Sequence, residues 1–279
     1  MSSAPPPRPV TFLTDFGYGD EYAGVCRLVI VGIDPRIRVI DLSHGIPPGD
    51  VRRGALALAA AARFSPPAVH LAVVDPGVGT NRRALVLTCG DHHLVGPDNG
   101  LLTLAASVLG GIDAAFDVSG TAVRVGESDT FHGRDVFSPV AAELAAGAAP
   151  GELGEPVGFR ELVDLRLPEP VVAPARVDAH ALYLDQYGNV ILNLHEEVLD
   201  GTFFGVGATV RLETSIEATE VPVGRTFADV SAGDPVVFTD STGYLAIAVN
   251  RGSAAARFGL GPDNEVRFTP VEADAGSGQ

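Results

Sequence analysis

Near the start of the chain three apolar runs end on an aspartate: residues 10–13 lead to Asp15, residues 37–42 close on Asp41, and residues 69–74 lead to Asp75. In open α/β sheets ligands gather beyond the carboxyl ends of the strands, so carboxylates there are placed to meet one. An aspartate after a strand is also an ordinary turn residue. The glycines beside Asp15 and Asp75 favour the first reading, because they let a ligand approach the backbone closely. Asp75-Pro-Gly-Val-Gly-Thr-Asn-Arg82 sets a carboxylate and a guanidinium seven positions apart around a glycine-rich turn. Such a pair can hold a water or an anion and bias its protonation; on an open surface it is only a weak ion pair. A third segment, Thr130-Phe-His132-Gly-Arg-Asp-Val-Phe137, puts a histidine just ahead of an expected helix start. There it can titrate near neutral pH or orient a nucleophile.

Asp15, Asp41, His44, Asp75 and His132 together form an oxygen- and imidazole-rich set of the kind that binds divalent cations. None of them has the helix-registered spacing of a HExxH site, so no metal is expected. No GxGxxG or GxxxxGK[ST] segment opens a helix either, which argues against a dinucleotide or Walker-type site, and no cofactor is expected. His92 and His93 read as surface residues of a hairpin, while His70, His180 and His195 lack a site-like context. Farther on, Asp185-Gln-Tyr187-Gly-Asn189 and Ser241-Thr-Gly-Tyr244 read as hairpin turns, and Thr226-Phe227-Ala-Asp229 lies between strands. Turn chemistry alone accounts for their composition.

The elements that position these residues follow from periodicity. Strands at 10–13, 37–42 and 69–74 alternate with helical patterns at 21–33 and 51–64, the second opened by Asp50. That alternation indicates βαβ units and a mostly parallel sheet. Short strands at 84–88 and 93–95, a helix through 101–109 with Asn99 as its cap, and a helix from about 133–135 to 146 complete an α/β domain spanning 1–167. Pro168, Pro170 and Pro174 suit an extended linker at 168–177. Beyond it, strands at 181–184, 190–194, 208–213, 235–239, 244–249 and 265–268 alternate with turns and no strong helix pattern intervenes. A small antiparallel β-barrel domain over 178–271 is expected, followed by a disordered tail at 272–279.

Composition narrows the partners. Lys+Arg 19 against Asp+Glu 35 leaves a net charge of −16, with no excess of cations to neutralise nucleic-acid or anionic-membrane phosphates. Hydrophobic residues at 46% with charged residues at 19% describe a globular chain. The two cysteines, Cys26 and Cys89, form no CxxC pair, so a reducing compartment is expected. The N-terminal MSSAPPPRPV lacks a signal-peptide apolar run and no stretch is long enough to span a membrane, so a cytoplasmic location is expected.

Taken in order, TDFGYGDEY (14–22), IDLSHGIPPGDVRRGA (40–55), VVDPGVGTNRRA (73–84), GPDNGLL (96–102), FHGRDVF (131–137), LDQYGNVILNL (184–194), TFAD (226–229) and DSTGYLAIAVN (240–250) resemble the S-adenosylmethionine hydroxide adenosyltransferase family, relatives of the fluorinating and chlorinating adenosyl enzymes. The likeness covers nearly the whole chain. It implies an α/β domain joined to a β-barrel domain, and a homotrimer with sites at subunit interfaces. It implies Asp15 on the ribose hydroxyls, with Asp20, Asp185 and Ser241 on the amino-acid end of the substrate. Asn189, Phe227 and the backbone around Asn250 and Arg251 would hold the adenine, with Tyr187 in the same turn as Asn189. Asp75, Arg82 and His132 match the Asp–Arg–His set of the hydrolase branch. The fluorinating enzymes have Tyr at the position of Asp75, Ser at that of Gly133, and an insertion near 90–92; the chlorinating relative shares the glycine and has the Tyr. The resemblance therefore implies water as the nucleophile and hydrolysis of S-adenosyl-L-methionine to adenosine and L-methionine. A halide-using, chlorinase-like adenosyl transferase and a non-catalytic S-adenosylmethionine- or adenosine-binding protein are the alternatives. Thr242 departs from the Arg of the fluorinating enzymes, and Gly49 from their Trp.

Overall fold

A computed structural model describes residues 6–271, which divide into two compact units, one reaching Leu165 and one starting at Arg166. The tail expected at 272–279 lies outside the described residues, as do residues 1–5.

The first unit is built on β1 (Val10–Thr14), α1 (Tyr22–Ile33), β2 (Val39–Ser43), α2 (Val51–Ala62), β3 (Val69–Val73), β4 (Ala84–Cys89), β5 (His92–Pro97), α3 (Thr103–Val108), β6 (Ala114–Asp117), α4 (Ser138–Ala146), α5 (Pro150–Leu153) and β7 (Glu155–Pro156). They form one sheet in the order β2-β1-β3-β5-β4-β6-β7. The pairs β1–β2, β1–β3 and β3–β5 are parallel, whereas β4 runs against both β5 and β6, and β7 against β6. The sheet is thus mixed, with β4 and β7 the reversed strands. β1 and β3 are buried at every position, as strands covered on both faces are. One core cluster joins α1 and α4 to the sheet around Phe12, Ile30, Val86 and Phe137, and a second joins α2 and α3 around Leu13, Leu58, Leu87 and Leu101. β6 and β7 were not expected; four and two residues are too few to show a period.

Local chemistry sets the helix starts. The Asp50 carboxylate accepts the Arg53 N–H and caps α2. Asn99 accepts the Leu101 N–H at 3.1 Å and donates through Nδ2 to the Val74 carbonyl at 2.9 Å, tying the end of β5 to that of β3 while α3 begins later, at Thr103. The helix expected from 133 opens as a π-helical turn, Gly133–Phe137, before α4. In this turn the Ser138 N–H bonds the Gly133 carbonyl five residues back; Pro139 has no N–H for the Asp135 carbonyl, which accepts the Val125 N–H at 3.2 Å instead.

The second unit contains β8 (Val171–Ala173), β9 (Arg176–Leu184), β10 (Val190–His195), β11 (Thr209–Glu213), β12 (Ala218–Pro222), β13 (Pro235–Thr239), β14 (Tyr244–Val249), α6 (Ala254–Phe258) and β15 (Glu265–Pro270). Antiparallel neighbours follow the order β12-β11-β15-β9-β10-β14-β13, and a Val223–Val237 bridge brings the two ends together into a nearly closed barrel. Its interior is filled by Leu192, Leu212, Ile247, Phe258 and Phe268. The proline-spaced stretch expected as a linker is extended, and its centre, β8, pairs with β9. No helix among the described residues is long and apolar enough to cross a membrane.

Candidate functional site

Strand direction gathers the sequence-marked residues of the first unit on one sheet edge. Asp15 and Asp75 follow the carboxyl ends of β1 and β3, and Arg82 precedes β4, whose first residue, Ala84, pairs with Pro97 at the end of β5. β6 ends at the same edge, because Asp117 pairs with Leu85, so the segment leading to His132 also leaves from there.

Asp75, Arg82 and His132 are in mutual contact. Arg82 Nε lies 2.9 Å from both Asp75 carboxylate oxygens, and Nη2 bonds Oδ2 as well. Nη2 also lies 2.8 Å from His132 Nδ1. The Asp75 and Arg82 side chains are only 6% and 10% exposed, which separates this pair from a solvated surface bridge. The guanidinium sits over the Phe137 ring, 5.1 Å from its centroid. A guanidinium only donates, so Nδ1 of His132 accepts and the proton of the neutral ring is on Nε2. Burial, then the charges of Arg82 and Arg124, hold the His132 pKa below the usual histidine value. Gly79, at φ +79°, allows the 75–82 loop to lie against the 129 carbonyl: a Cβ there would sit 2.9 Å from Asp129 O.

Asp15 stands beside this set. Its Oδ2 accepts the Gly49 N–H at 2.8 Å. Burial raises its pKa above the usual carboxylate value, with the Asp75 charge adding and the Gly49 N–H opposing. Gly49 has φ +74°, and a Cβ there would meet Pro76 at 3.8 Å, so the loops after β2 and β3 adjoin. Gly49 as a ligand of Asp15 was not foreseen from sequence; its neighbour Asp50, a helix cap, was the available signal. Asp20 is exposed on the loop before α1. Asp41, expected at a strand end, instead lies in the middle of β2 opposite Phe12, and its carboxylate is taken by Arg27 at 2.7 Å. Among the described residues no group of three or more His, Cys, Asp or Glu side chains could hold a metal ion. His70 is fully buried, bonded to Thr11 and stacked on His92, and His93 is half-buried, so the surface reading of that hairpin is corrected. Pairing of β5 with β3 places His93 opposite Val69 in the sheet interior.

In the second unit the β9–β10 turn is closed by its own polar residues. Asp185 accepts the N–H groups of Tyr187 and Asn189 through Oδ1 and the Asn189 amide through Oδ2 at 2.7 Å. Tyr187 is 70% exposed. Asn250 donates to the Val230 carbonyl, and Phe227, partly exposed, packs edge-on to Phe238 at 4.9 Å. Arg251 has φ +58° and is exposed. Val190 pairs with Ile247, so the 185–189 turn lies at the Asn250 end of β14, while Ser241 is in the turn at its other end. The structure therefore groups Asp185, Asn189 and Asn250 and leaves Ser241 apart from them. Thr242 is engaged by Asp240, which accepts both its N–H and its hydroxyl.

The chain is similar to known proteins over most of its length. Residues 10–154 match the SAM hydroxide adenosyltransferase N-terminal domain, and residues 179–267 match the C-terminal domain. A protein from Salinispora tropica named (R)-S-adenosyl-L-methionine hydrolase is 45% identical, covering 93% of this chain and 97% of that one. One of the same name from Thermus thermophilus is 43% identical over 94% and 99%. A crystal structure of an uncharacterized conserved protein from Thermotoga maritima superposes with a TM-score of 0.86 at 33% identity, covering 93% of this chain and 99% of that one. With both domain descriptions matched in order, the chain belongs to the SAM hydroxide adenosyltransferase family.

Proposed function

We propose that this protein hydrolyses S-adenosylmethionine to adenosine and methionine, water attacking the ribose C5′. The observation that carries the reading is the buried contact set of Asp75, Arg82 and His132 at the sheet edge, in a chain 45% identical to a named hydrolase. The leaving group is a neutral thioether departing from a sulfonium, so no acid is needed to expel it. Catalysis rests on placing a water in line with the C5′–S bond and removing its proton. The C–O bond forms as the C–S bond breaks, the electron pair stays on sulfur, and one proton is released.

The hydrogen bonds divide the roles. Arg82 spends its Nε and Nη2 donors on Asp75 and His132, leaving Nη1 to stabilise hydroxide character on the water. His132, with Nδ1 occupied, offers Nε2–H and orients the water as a donor. Asp75 is the acceptor that remains for the proton. Asp15 holds the vicinal ribose hydroxyls, since a carboxylate accepts two hydrogen bonds from a diol. From the family resemblance, Asp20, Asp185 and Ser241 are assigned to the amino-acid end and Asn189, Phe227, Asn250 and Arg251 to the adenine, with Tyr187 beside them; the turn that Asp185 closes lies with Asn189 and Asn250, at the opposite end of β14 from Ser241. A homotrimer is the assembly that accompanies this assignment, and sedimentation measures it.

The relatives' name specifies the R configuration at sulfur, so both sulfonium epimers belong in the assay. Incubation in ¹⁸O-water, followed by chromatography and mass spectrometry, is expected to yield methionine and adenosine carrying one ¹⁸O at the 5′ position. Intact substrate with both epimers would leave only a binding function. A 5′-chloro product in added chloride would assign the halide alternative.

A further inference from the structure

His44, at the end of the IDLSH segment, takes no part in the reacting set, yet its side chain is fully buried. Its Nδ1 lies 2.8 Å from Thr14 Oγ1, which already accepts the Phe16 N–H at 3.1 Å. Thr14 is also fully buried, so this bond to the ring, whichever atom donates, is made away from solvent. On the other side of the ring, Nε2 lies 3.2 Å from Asp41 Oδ1 and 3.1 Å from Arg27 Nη2. Asp41 is in turn gripped by Arg27 through Nε at 3.0 Å and Nη2 at 2.7 Å. The main chain of His44 adds two ties to the same loop: its carbonyl accepts the Gly17 N–H at 2.7 Å, and its N–H donates to Tyr18 Oη at 3.1 Å. Residues 14–18, which carry Asp15, are thus held from both sides by one buried residue.

We propose that His44 is a positioning residue that, through Thr14 Oγ1, sets the Asp15 carboxylate for the vicinal diol of the substrate's sugar. The inference rests on the assignment of Asp15 to the ribose. Two conservative variants separate the two sides of the ring. In His44→Asn the side-chain amide falls near the position of Nδ1 and can keep the Thr14 bond as donor or acceptor, whereas His44→Gln reaches toward Asp41 and loses it. His44→Gln is expected to raise KM for S-adenosylmethionine about tenfold, the scale of one weakened bond to a charged group, with kcat held within about threefold. His44→Asn is expected to stay within about threefold of the parent in both. With a 2′-deoxyribose analogue of the substrate, whose diol is gone, the penalty of His44→Gln should shrink to about threefold or less. Thr14→Val removes the bridging hydroxyl without touching the histidine and should reproduce the KM effect even if the glutamine variant does not fold. A parental KM in Thr14→Val and His44→Gln, or an equal penalty on the deoxy analogue, overturns the proposal. Asp15→Ala measured alongside distinguishes the levels: a parental KM there removes the ribose assignment itself and this inference with it.

Discussion

Asp75→Asn is the sharpest test of the reacting set, because it keeps the shape of the side chain and removes its charge. In the parent, Arg82 is 10% exposed and its donors converge on the two Asp75 oxygens. An asparagine presents one acceptor and turns an N–H₂ toward a guanidinium that can only donate. Removing one partner of a buried ion pair costs about 3–5 kcal/mol; with one acceptor kept, about 2–4 kcal/mol is expected, or a fall in Tm of about 5–12 °C. Loss of a positioned general base costs about 10²–10⁴ in rate, equivalent to about 2.7–5.4 kcal/mol of barrier. Because the Asp75 bonds are with Arg82, substrate affinity should stay within about threefold. The assay is initial-rate chromatography of adenosine below the Tm of each variant, with Kd from calorimetry. Asp98→Asn is the control: Asp98, 4% exposed, pairs with Arg83, the neighbour of Arg82, without entering the reacting set. It should lose stability and keep turnover. A turnover in Asp75→Asn within tenfold of the parent, or an equal loss in Asp98→Asn, would refute the role of Asp75.

The remaining predictions concern acid stability and loop geometry. Burial pushes His70 and His93 down to about 4, whereas an unfolded histidine titrates near 6.5. Below 6.5 the unfolded chain binds protons that the folded one refuses, so stability is full above that pH and falls as pH drops toward 4, by up to about 3 kcal/mol for each group. Urea unfolding between pH 7.5 and 4.5 measures the slope. His93→Phe, which removes a buried Nδ1 that has no hydrogen-bond partner among the described residues, should flatten it. Gly79→Ala should cost about 1–2 kcal/mol for its left-handed φ and lower turnover by displacing the Arg82 loop from the Asp129 carbonyl; Gly90→Ala, also left-handed but with open space around its Cβ position, should lose stability alone. Equal turnover in the two glycine variants would separate loop geometry from activity.

What could be read from sequence depended on how local the determinant was. Asp15 and Asp75 were legible because an apolar run followed by Asp and Gly marks a strand end within six or seven residues. The Arg82–His132 contact spans fifty positions, so spacing alone could name both residues without joining them. The π-helical opening at 133–137 sits beside Pro139, and the Asp135 carbonyl that Pro139 cannot bond is taken by Val125, a partner that only the folded chain supplies. β9 begins at Arg176, five residues before its expected start, because Arg176 and Asp178 alternate with buried Val177 and Ala179 and dilute the apolar signal. α6, five residues long, is too short to carry a period. His44 was visible as a titratable group, but its partners Thr14 and Arg27 come from other elements.

The reversal of β4 has a consequence for how such a centre can be altered and assembled. Had β4 run parallel to β3, a crossover of about a dozen or more residues, usually through a helix, would have been needed before the chain re-entered the sheet, one place beyond β3 with β5 between them. Here the chain turns back at once, so acid and guanidinium belong to one short cassette whose two ends are stitched into finished strands. Its contents can be exchanged without rethreading the sheet. The same economy orders assembly: the cassette is fixed once β5, the next strand, has slotted between β3 and β4, whereas the imidazole docks only after β6 has added to the sheet, across a much longer stretch of chain.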